Sequence, residues 1–193
     1  MKESSENYLP FSLGHQFSDL GYSTKAYHNH SVYYYHRNLS HPNLGYDFKG
    51  QDKGYQFTDT WPESDLEMMQ QTAEDFLTPD ENGEIQPFHV YYLTVSGHLR
   101  YSFYTNDMAK KNKEAVKDMD MSDGCRAYMA CNIELDKAVE CLMEELDEAG
   151  ELENTVIAIA GDHYPYGLSA DEISEFRGHD IETEYEIYQS TML

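Results

Sequence analysis

Three histidines follow stretches of the chain that have the composition of β-strands, and one of them is preceded by an aspartate. They are His28, His98 and His163, the last next to Asp162. Because the carboxyl ends of parallel strands meet at one edge of a sheet, we expect these side chains to converge there. A carboxylate beside a neutral imidazole suits Zn²⁺, Mn²⁺ or Mg²⁺, ions that stabilise charge on a transferring phosphoryl or sulfuryl group.

The strands that must position these histidines are predicted from composition. Residues 22–27 are a short strand candidate, and residues 89–95 are rich in β-branched and aromatic side chains. Residues 155–160 form a continuous apolar run, which is typical of a central strand covered on both faces. Residues 184–193 could begin one more strand.

Helices are predicted between these strands. Ser12 is a candidate N-cap before apolar residues at helical spacing, and Gly21 is a candidate terminator. Ser64 and Glu67 have the spacing of a capping box at the start of another helix. The longest helix is expected at residues 123–149, where apolar positions recur every three or four residues. Helices that alternate with buried strands predict an α/β fold with a mainly parallel sheet flanked by helices.

Composition limits the class of protein. The 193 residues, 40% of them hydrophobic, are enough for one domain with a buried core, which we place at residues 1–193. The net charge of -23 repels polyphosphate backbones and makes a nucleic-acid partner unexpected. Cys125, Cys131 and Cys141 crowd into one helical segment and are interpreted as packing residues. No apolar run approaches the roughly 18 residues of a membrane span.

The order of several short motifs resembles the lipoteichoic acid synthases and related sulfatase-like phosphoglycerol transferases of the alkaline phosphatase superfamily. The resemblance covers nearly the whole chain, and it is the shared order of the motifs that makes it specific. The motifs are Leu9-Pro10, Ser12-Leu13, Leu20-Gly21-Tyr22, Tyr27-His28-Asn29, Tyr34-Tyr35-His36-Arg37, Leu44-Gly45-Tyr46, Ser64-Asp65-Leu66-Glu67, Pro87-Phe88, Leu93 to His98, Asp136-Lys137-Ala138, Leu152 to Ile157 and Gly161-Asp162-His163.

The resemblance implies an alkaline-phosphatase/sulfatase-like fold, truncated at both ends, that belongs to the catalytic domain of a longer parent. Such a parent would act outside the cytoplasm at the cell surface, anchored in the membrane through segments that are not in this chain. It would transfer glycerophosphate from a phosphatidylglycerol-type lipid. Its expected partners are therefore an anionic lipid headgroup and a glycerophosphate polymer.

The resemblance also assigns roles to five residues. Asp162 and His163 match two ligands of a divalent metal, Mn²⁺ first and Mg²⁺, Zn²⁺ or Ca²⁺ as alternatives, which this chain alone would hold weakly or not at all. His28, Arg37 and His98 match residues that contact the phosphoglycerol group. A guanidinium suits that role because its planar donors pair with two phosphate oxygens.

Some positions depart from the pattern of the resembled family. Tyr35 and His36 stand where tryptophan and asparagine are usual, which changes the expected shape of the substrate pocket. Tyr164 replaces a glycine that is usual in sulfatases, which favours phosphotransfer over sulfate hydrolysis. The family's threonine nucleophile lies upstream of the segment that matches Leu9-Pro10. We therefore expect no catalytic nucleophile in these residues and no turnover by the isolated chain.

Two other functions stay open from the sequence. The first is a sulfatase or phosphodiester hydrolase of the same superfamily, which the identity of the upstream nucleophile would decide. The second is a non-catalytic module that binds a glycan or polymer, for which the 17 tyrosines are the best support. A sheet truncated at its edges could also expose an unpaired strand, so self-association is expected.

Overall fold

A parallel sheet organises the computed structural model, which describes residues 3–181 and 185–193. The strand order is β3-β2-β1-β4, and β1 pairs in parallel with both β2 and β4. This confirms the predicted α/β fold with a mainly parallel sheet flanked by helices. The strands are β1 at Ser23–Ser31, β2 at Asp47–Gln51, β3 at Gly54–Tyr55 and β4 at Phe88–Leu93.

Short helices and one long helix surround this sheet. The α-helices are α1 at Leu13–Asp19, α2 at Arg37–Asn43, α3 at Asp65–Thr72, α4 at Glu74–Leu77, α5 at Asp107–Lys111, α6 at Asp123–Glu148 and α7 at Ala170–Arg177. Single 3₁₀ turns occur at Ser4–Glu6, Tyr34–His36, Lys113–Val116, Leu152–Asn154 and Glu186–Tyr188. Within the described ranges, no helix has both the length and the apolar character that crossing a membrane requires.

The helix ends follow the predicted caps with two differences. Ser12 lies at the N-cap position of α1, but its hydroxyl donates to the Leu44 carbonyl at 2.9 Å and does not cap the helix. The Ser64 hydroxyl accepts a hydrogen bond from the Glu67 amide at 3.1 Å and so caps α3. Glu67 does not complete the capping box, because its carboxylate accepts from the Thr58 amide and hydroxyl instead. Glu67 thus ties the loop after β3 to the first turn of α3. The long α6 begins after Ser122 and is followed by Gly150 at a φ of 77°.

Alternating side chains of β1 divide the core into two layers. Tyr27 is fully buried on the face that packs against α3, α4 and α6, with Met68 and Leu146 among its neighbours in that cluster. Ala26 points the other way and joins a second apolar cluster with Phe48. Because β1 is covered on both faces, it is the central strand that positions the residues at its carboxyl end.

A buried carboxylate connects three helices beneath the sheet. Glu134 of α6 is fully buried and accepts hydrogen bonds from Lys111 at 2.7 Å, from Asn112 at 3.2 Å and from the Ser64 hydroxyl. Burial alone would raise the Glu134 pKa, but these three donors hold it below its usual range. The network fixes the N-terminus of α3 against α5 and α6.

The prediction of a central strand at residues 155–160 is wrong. Ile157 packs against the main core cluster, but Val156 is 92% exposed, so only one side of the segment is covered. Among the described residues its backbone partner is Leu193, which exchanges two 2.9 Å hydrogen bonds with Ile159. A strand needs neighbours for its N–H and C=O groups, and none of β1 to β4 pairs with this segment.

The strand suggested at residues 184–193 falls partly outside the described residues, because Glu184 is one of the residues that the structure leaves out. The described part contains the 3₁₀ turn Glu186–Tyr188 and a single antiparallel bridge between Met192 and Ala160. A bridge of this kind joins two extended segments without making either of them a strand of the main sheet.

Candidate functional site

The sequence predicted that His28 lies in a loop after the first strand. In the structure His28 lies inside β1. The strand continues to Ser31, and His28 is only 2% exposed. Its Nδ1–H donates to the Leu93 carbonyl of β4 at 2.8 Å, which leaves Nε2 as an acceptor. Burial lowers the His28 pKa from 6.5 to about 4, so the ring is neutral at neutral pH.

Arg37 is held by this neutral imidazole. Its Nη1 donates to His28 Nε2 at 2.7 Å, so one of the five guanidinium donors is fixed by a buried ring. Arg37 is the first residue of α2, and Tyr35 and His36 before it have φ values of 53° and 56°. Left-handed backbone is uncommon at residues other than glycine. This turn places the Arg37 guanidinium 5.7 Å from the ring centre of Tyr34 and 5.6 Å from that of Tyr35.

The charged form of Arg37 is disfavoured by its partial burial. Burial lowers the Arg37 pKa, and negative charge on Tyr91, Tyr34 and Asp162 would oppose that shift. Asp162 forms its described ion pair with His163 and not with Arg37. A half-buried guanidinium such as that of Arg37 is a suitable group for binding an anion.

His98 is positioned by a buried aspartate at the start of α3. Asp65 is fully buried and accepts hydrogen bonds from Asn29 of β1 and from the Val95 amide, both at 2.8 Å. It also accepts from the amide and the hydroxyl of Ser96. Burial raises the Asp65 pKa, and these donors oppose the shift. Asp65 thus ties the end of β1 to the turn after β4 that leads into His98.

An unbroken series of ring contacts connects His28 to His98. The ring centroids of His28 and His30 are 6.0 Å apart, those of His30 and Trp61 are 5.4 Å apart, and those of Trp61 and His98 are 5.1 Å apart. The Nδ1–H of His98 donates to the Leu99 carbonyl at 3.0 Å, so its Nε2 remains an acceptor. The structure therefore brings His28, Arg37 and His98 to one edge of the sheet.

Asp162 and His163 are the most exposed of the candidate residues. The side chains are 87% and 44% exposed, and Asp162 Oδ1 lies 3.5 Å from His163 Nε2. His163 Nδ1–H donates to the Tyr164 carbonyl at 2.9 Å, which leaves Nε2 free to bind a metal. Metal–oxygen and metal–nitrogen bonds of about 2.1 Å allow one ion to touch both atoms.

Asp162 and His163 have no third candidate ligand beside them among the described residues. No cluster of three or more histidine, cysteine, aspartate or glutamate side chains with suitable spacing occurs among them. The pair fits two positions of a coordination shell, whereas structural and catalytic sites in proteins usually use three or four protein ligands. The arrangement is therefore a partial metal site.

The sulfatase family model matches residues 4–187. The chain belongs to the sulfatase family. Sulfatases and the related alkaline phosphatases generally use a divalent metal.

Two curated relatives of this sulfatase-family chain come from Bacillus subtilis (strain 168). Lipoteichoic acid synthase-like YvgJ is 24% identical over 188 residues, which are 91% of this chain and 29% of the relative. Lipoteichoic acid synthase 1 is 28% identical over 180 residues, which are 88% of this chain and 26% of the relative. The chain thus spans between a quarter and a third of the length of the curated relatives it matches.

A solved structure shares the fold of this sulfatase-family chain. The crystal structure of the lipoteichoic acid synthase LtaP from Listeria monocytogenes superposes with a TM-score of 0.67 at 18% identity. The match covers 91% of this chain and 43% of that structure. The likeness confirms the predicted alkaline-phosphatase/sulfatase-like architecture.

Three residues beside the predicted site of this sulfatase-family chain were not singled out from the sequence. They are His30, Trp61 and Glu63. Trp61 is the single tryptophan of the chain, and its position just before the predicted cap Ser64 was an available signal. No comparable signal marked Glu63, because its contact with His30 joins residues 33 positions apart.

Proposed function

We propose that this chain carries the phosphate-binding part and two metal ligands of a phosphoglycerol transferase similar to the lipoteichoic acid synthases. The observation that supports this most is the bond from Arg37 to the neutral, buried His28 at 2.7 Å. Because the guanidinium uses one N–H donor in this bond, its other donors can bind the oxygens of a phosphate. His98 would contribute its imidazole at the same edge, with Nδ1 fixed by the Leu99 carbonyl.

We propose a separate role for each residue of the site. His28 positions Arg37, Arg37 and His98 bind the phosphate of the substrate, and Asp162 and His163 hold a divalent ion, for which we propose Mn²⁺. When bound, the ion would stabilise negative charge on the phosphoryl group. Because two protein ligands hold a metal less firmly than three or four, we expect weak binding by this chain alone.

The nature of the substrate follows from the relatives and from charge. Two relatives and one structural neighbour are named as lipoteichoic acid synthases or as similar to one. We therefore propose a phosphatidylglycerol-type headgroup as donor, a glycerophosphate polymer as product, and a site of action outside the cytoplasm for a membrane-anchored parent. A net charge of -23 would repel anionic lipid surfaces at long range, so binding must depend on the local positive charge of Arg37.

Calorimetric titration with glycerol 1-phosphate, with and without Mn²⁺, tests this function. Arg37→Gln should weaken binding by at least about tenfold, because a charge-assisted contact to phosphate is lost. Arg126→Gln removes the same charge from α6 outside the site and should leave the affinity unchanged. Mn²⁺ should strengthen binding by the native chain, and Asp162→Asn should remove that gain. Equal affinities for the native and Arg37→Gln chains would refute the assignment.

The other two functions give different results in the same titration. A sulfatase-type site would bind inorganic sulfate in place of glycerol 1-phosphate, with the same dependence on Arg37. A non-catalytic module would bind a glycan or a glycerophosphate polymer equally well without Mn²⁺, and Asp162→Asn would then have no effect on affinity.

A further inference from the structure

We propose that an exposed face of α6 docks a basic amphipathic helix of a protein partner. The face consists of Asp136, Glu140, Glu144 and Asp147 around an apolar groove, and it is called the acidic face of α6 below. It shares no residue with the candidate site, so the proposal goes beyond the function proposed above and does not depend on it.

The apolar groove is the first support. It has a volume of about 500 Å³, and its apolar lining consists of Val139, Met143 and Leu152. Met143 is 43% exposed, and the other two residues are half-buried. Methionine is flexible and polarizable, so it adapts to the shape of an apolar partner. A groove of this kind suits the apolar face of a helix, which contacts it at every third or fourth residue.

The carboxylates that border this groove are the second support. Asp136, Glu140, Glu144 and Asp147 line it and are all exposed. Within the part of the chain that the structure describes, no ion pair involves any of them. The acidic face of α6 therefore offers four uncompensated negative charges to a partner.

The arrangement of these acids costs α6 stability, which is the third support. Asp136, Glu140, Glu144 and Glu148 follow one another at a spacing of four, so like charges are neighbours on the helix surface. The last turn of α6 has no basic residue, although a helix C-terminus favours positive charge. Residues 138–176 contain no lysine or arginine at all. A cationic partner would relieve a repulsion that the fold itself leaves in place.

Charge also selects the occupant of the groove. The net charge of -23 opposes a second copy of this chain, a nucleic acid and an anionic lipid surface. A helix with lysine or arginine on both sides of an apolar stripe matches the groove and its border together. From Asp136 to Asp147 the face covers about three turns, or about 17 Å, so a partner helix of about 14 residues would span it.

Fluorescence anisotropy of synthetic peptides with the native chain tests the proposal. The probe is a fluorescein-labelled amphipathic helix of about 14 residues, with leucines on one face and lysines on both sides of them. Two comparison peptides replace either the leucines by serine or the lysines by glutamate. We expect the probe to bind at least about tenfold more tightly than either comparison peptide.

Charge reversal on the acidic face of α6 should remove this binding. Glu140→Lys combined with Glu144→Lys should weaken binding of the probe at least about tenfold. Glu81→Lys combined with Glu84→Lys makes the same change in net charge on an exposed turn. This matched control should keep the affinity within about twofold.

The reversal in α6 also provides a control for folding. It converts the outer pairs of the acidic series, Asp136 with Glu140 and Glu144 with Glu148, into pairs of opposite charge. Urea denaturation should therefore show no loss of stability, so that weaker binding cannot be attributed to unfolding.

The apolar groove is tested separately. Met143→Ser should weaken binding of the probe about fivefold, because part of an apolar side chain is no longer buried in the complex. In NMR of the labelled chain, the amide signals of residues 136–147 should shift on addition of the probe.

Several results would overturn the proposal. Equal weakening by the two double reversals would mean that the probe is attracted to the overall negative charge and not to α6. Equal affinity for the leucine and serine peptides would mean that the carboxylates bind cations without the groove. Self-association of the native chain in sedimentation equilibrium, if the reversal in α6 removes it, would assign the face to a second copy.

Discussion

The two halves of the candidate site are built in opposite ways. At the carboxyl end of β1, His28 is 2% exposed and bonded on both ring nitrogens, to Leu93 and to Arg37. In the segment after residue 160, Asp162 is 87% exposed, and the described partners of His163 are its chain neighbours Asp162, Tyr164 and Tyr166. The first half is preorganised by the sheet, and the second is held by local contacts alone.

The difference shows what fixes a functional side chain in this fold. β1 is hydrogen-bonded on both sides, to β2 and β4, and Asp65 adds further bonds at its end. Residues 155–160 have the sequence of a strand but no neighbour in the main sheet. A motif such as Gly161-Asp162-His163 can therefore be easy to recognise in the sequence and still be the least constrained part of the site.

Removing Asp65 should show the largest contrast between the halves. Asp65→Ala leaves the buried donors of Asn29, Val95 and Ser96 without an acceptor, and we expect the free energy of unfolding to fall by about 3 kcal/mol. Asp162→Ala removes an exposed carboxylate and should change the free energy of unfolding by less than about 0.5 kcal/mol. Urea denaturation of both variants measures these two changes in stability. Similar losses in the two variants would contradict the contrast.

The buried imidazole should make stability depend on pH. Unfolded His28 takes up a proton near pH 6.5, whereas the folded residue does so only near 4, so the unfolded state binds more protons between these values. Stability should therefore be lost as the pH falls through this window, by about 1.4 kcal/mol per pH unit.

Urea denaturation at several pH values, with native chain and His28→Gln, isolates this contribution. The difference in stability between the two should shrink as the pH falls from 6.5 to 4. A His28→Gln curve that stays parallel to the native curve would show that His28 is not held neutral.

Hydrogen exchange should distinguish the two segments at matched alanines. Ala26 lies in β1 between Phe48 and Tyr91, with its backbone in the ladder, whereas the Ala158 amide has no backbone partner among the described residues. We expect Ala158 to exchange at least about a hundredfold faster than Ala26 in NMR measurements. Comparable protection of the two amides would indicate that residues 155–160 are paired after all.

The sequence predicts α1, α3 and α6 because their signals are local, whereas α2, α5 and α7 were not predicted. Ser12 precedes α1, Ser64 caps α3 and Gly150 follows α6, as their types and spacing indicate. The prediction of a strand at residues 155–160 is wrong. An apolar run indicates burial, but a strand also requires a neighbouring backbone with which to form hydrogen bonds.

The candidate site is only partly visible in the sequence. The positions of His28, Arg37 and His98 follow from the motif order, but the bond between His28 and Arg37 depends on a left-handed turn at Tyr35 and His36 that no residue type there demands. The pair of His30 and Glu63 depends on how the chain returns after β3, which composition does not encode.

The central claim is that Asp162-His163 and Arg37 meet at one edge and share one substrate. Mn²⁺ is paramagnetic, so NMR of the labelled chain with Mn²⁺ tests this most directly. If the claim holds, Mn²⁺ broadens the amide signals around residue 162 and those of Arg37 and His98, spares residues 80–84, and loses these effects in Asp162→Asn. Broadening confined to residues 162–163, or equally strong in Asp162→Asn, would contradict it.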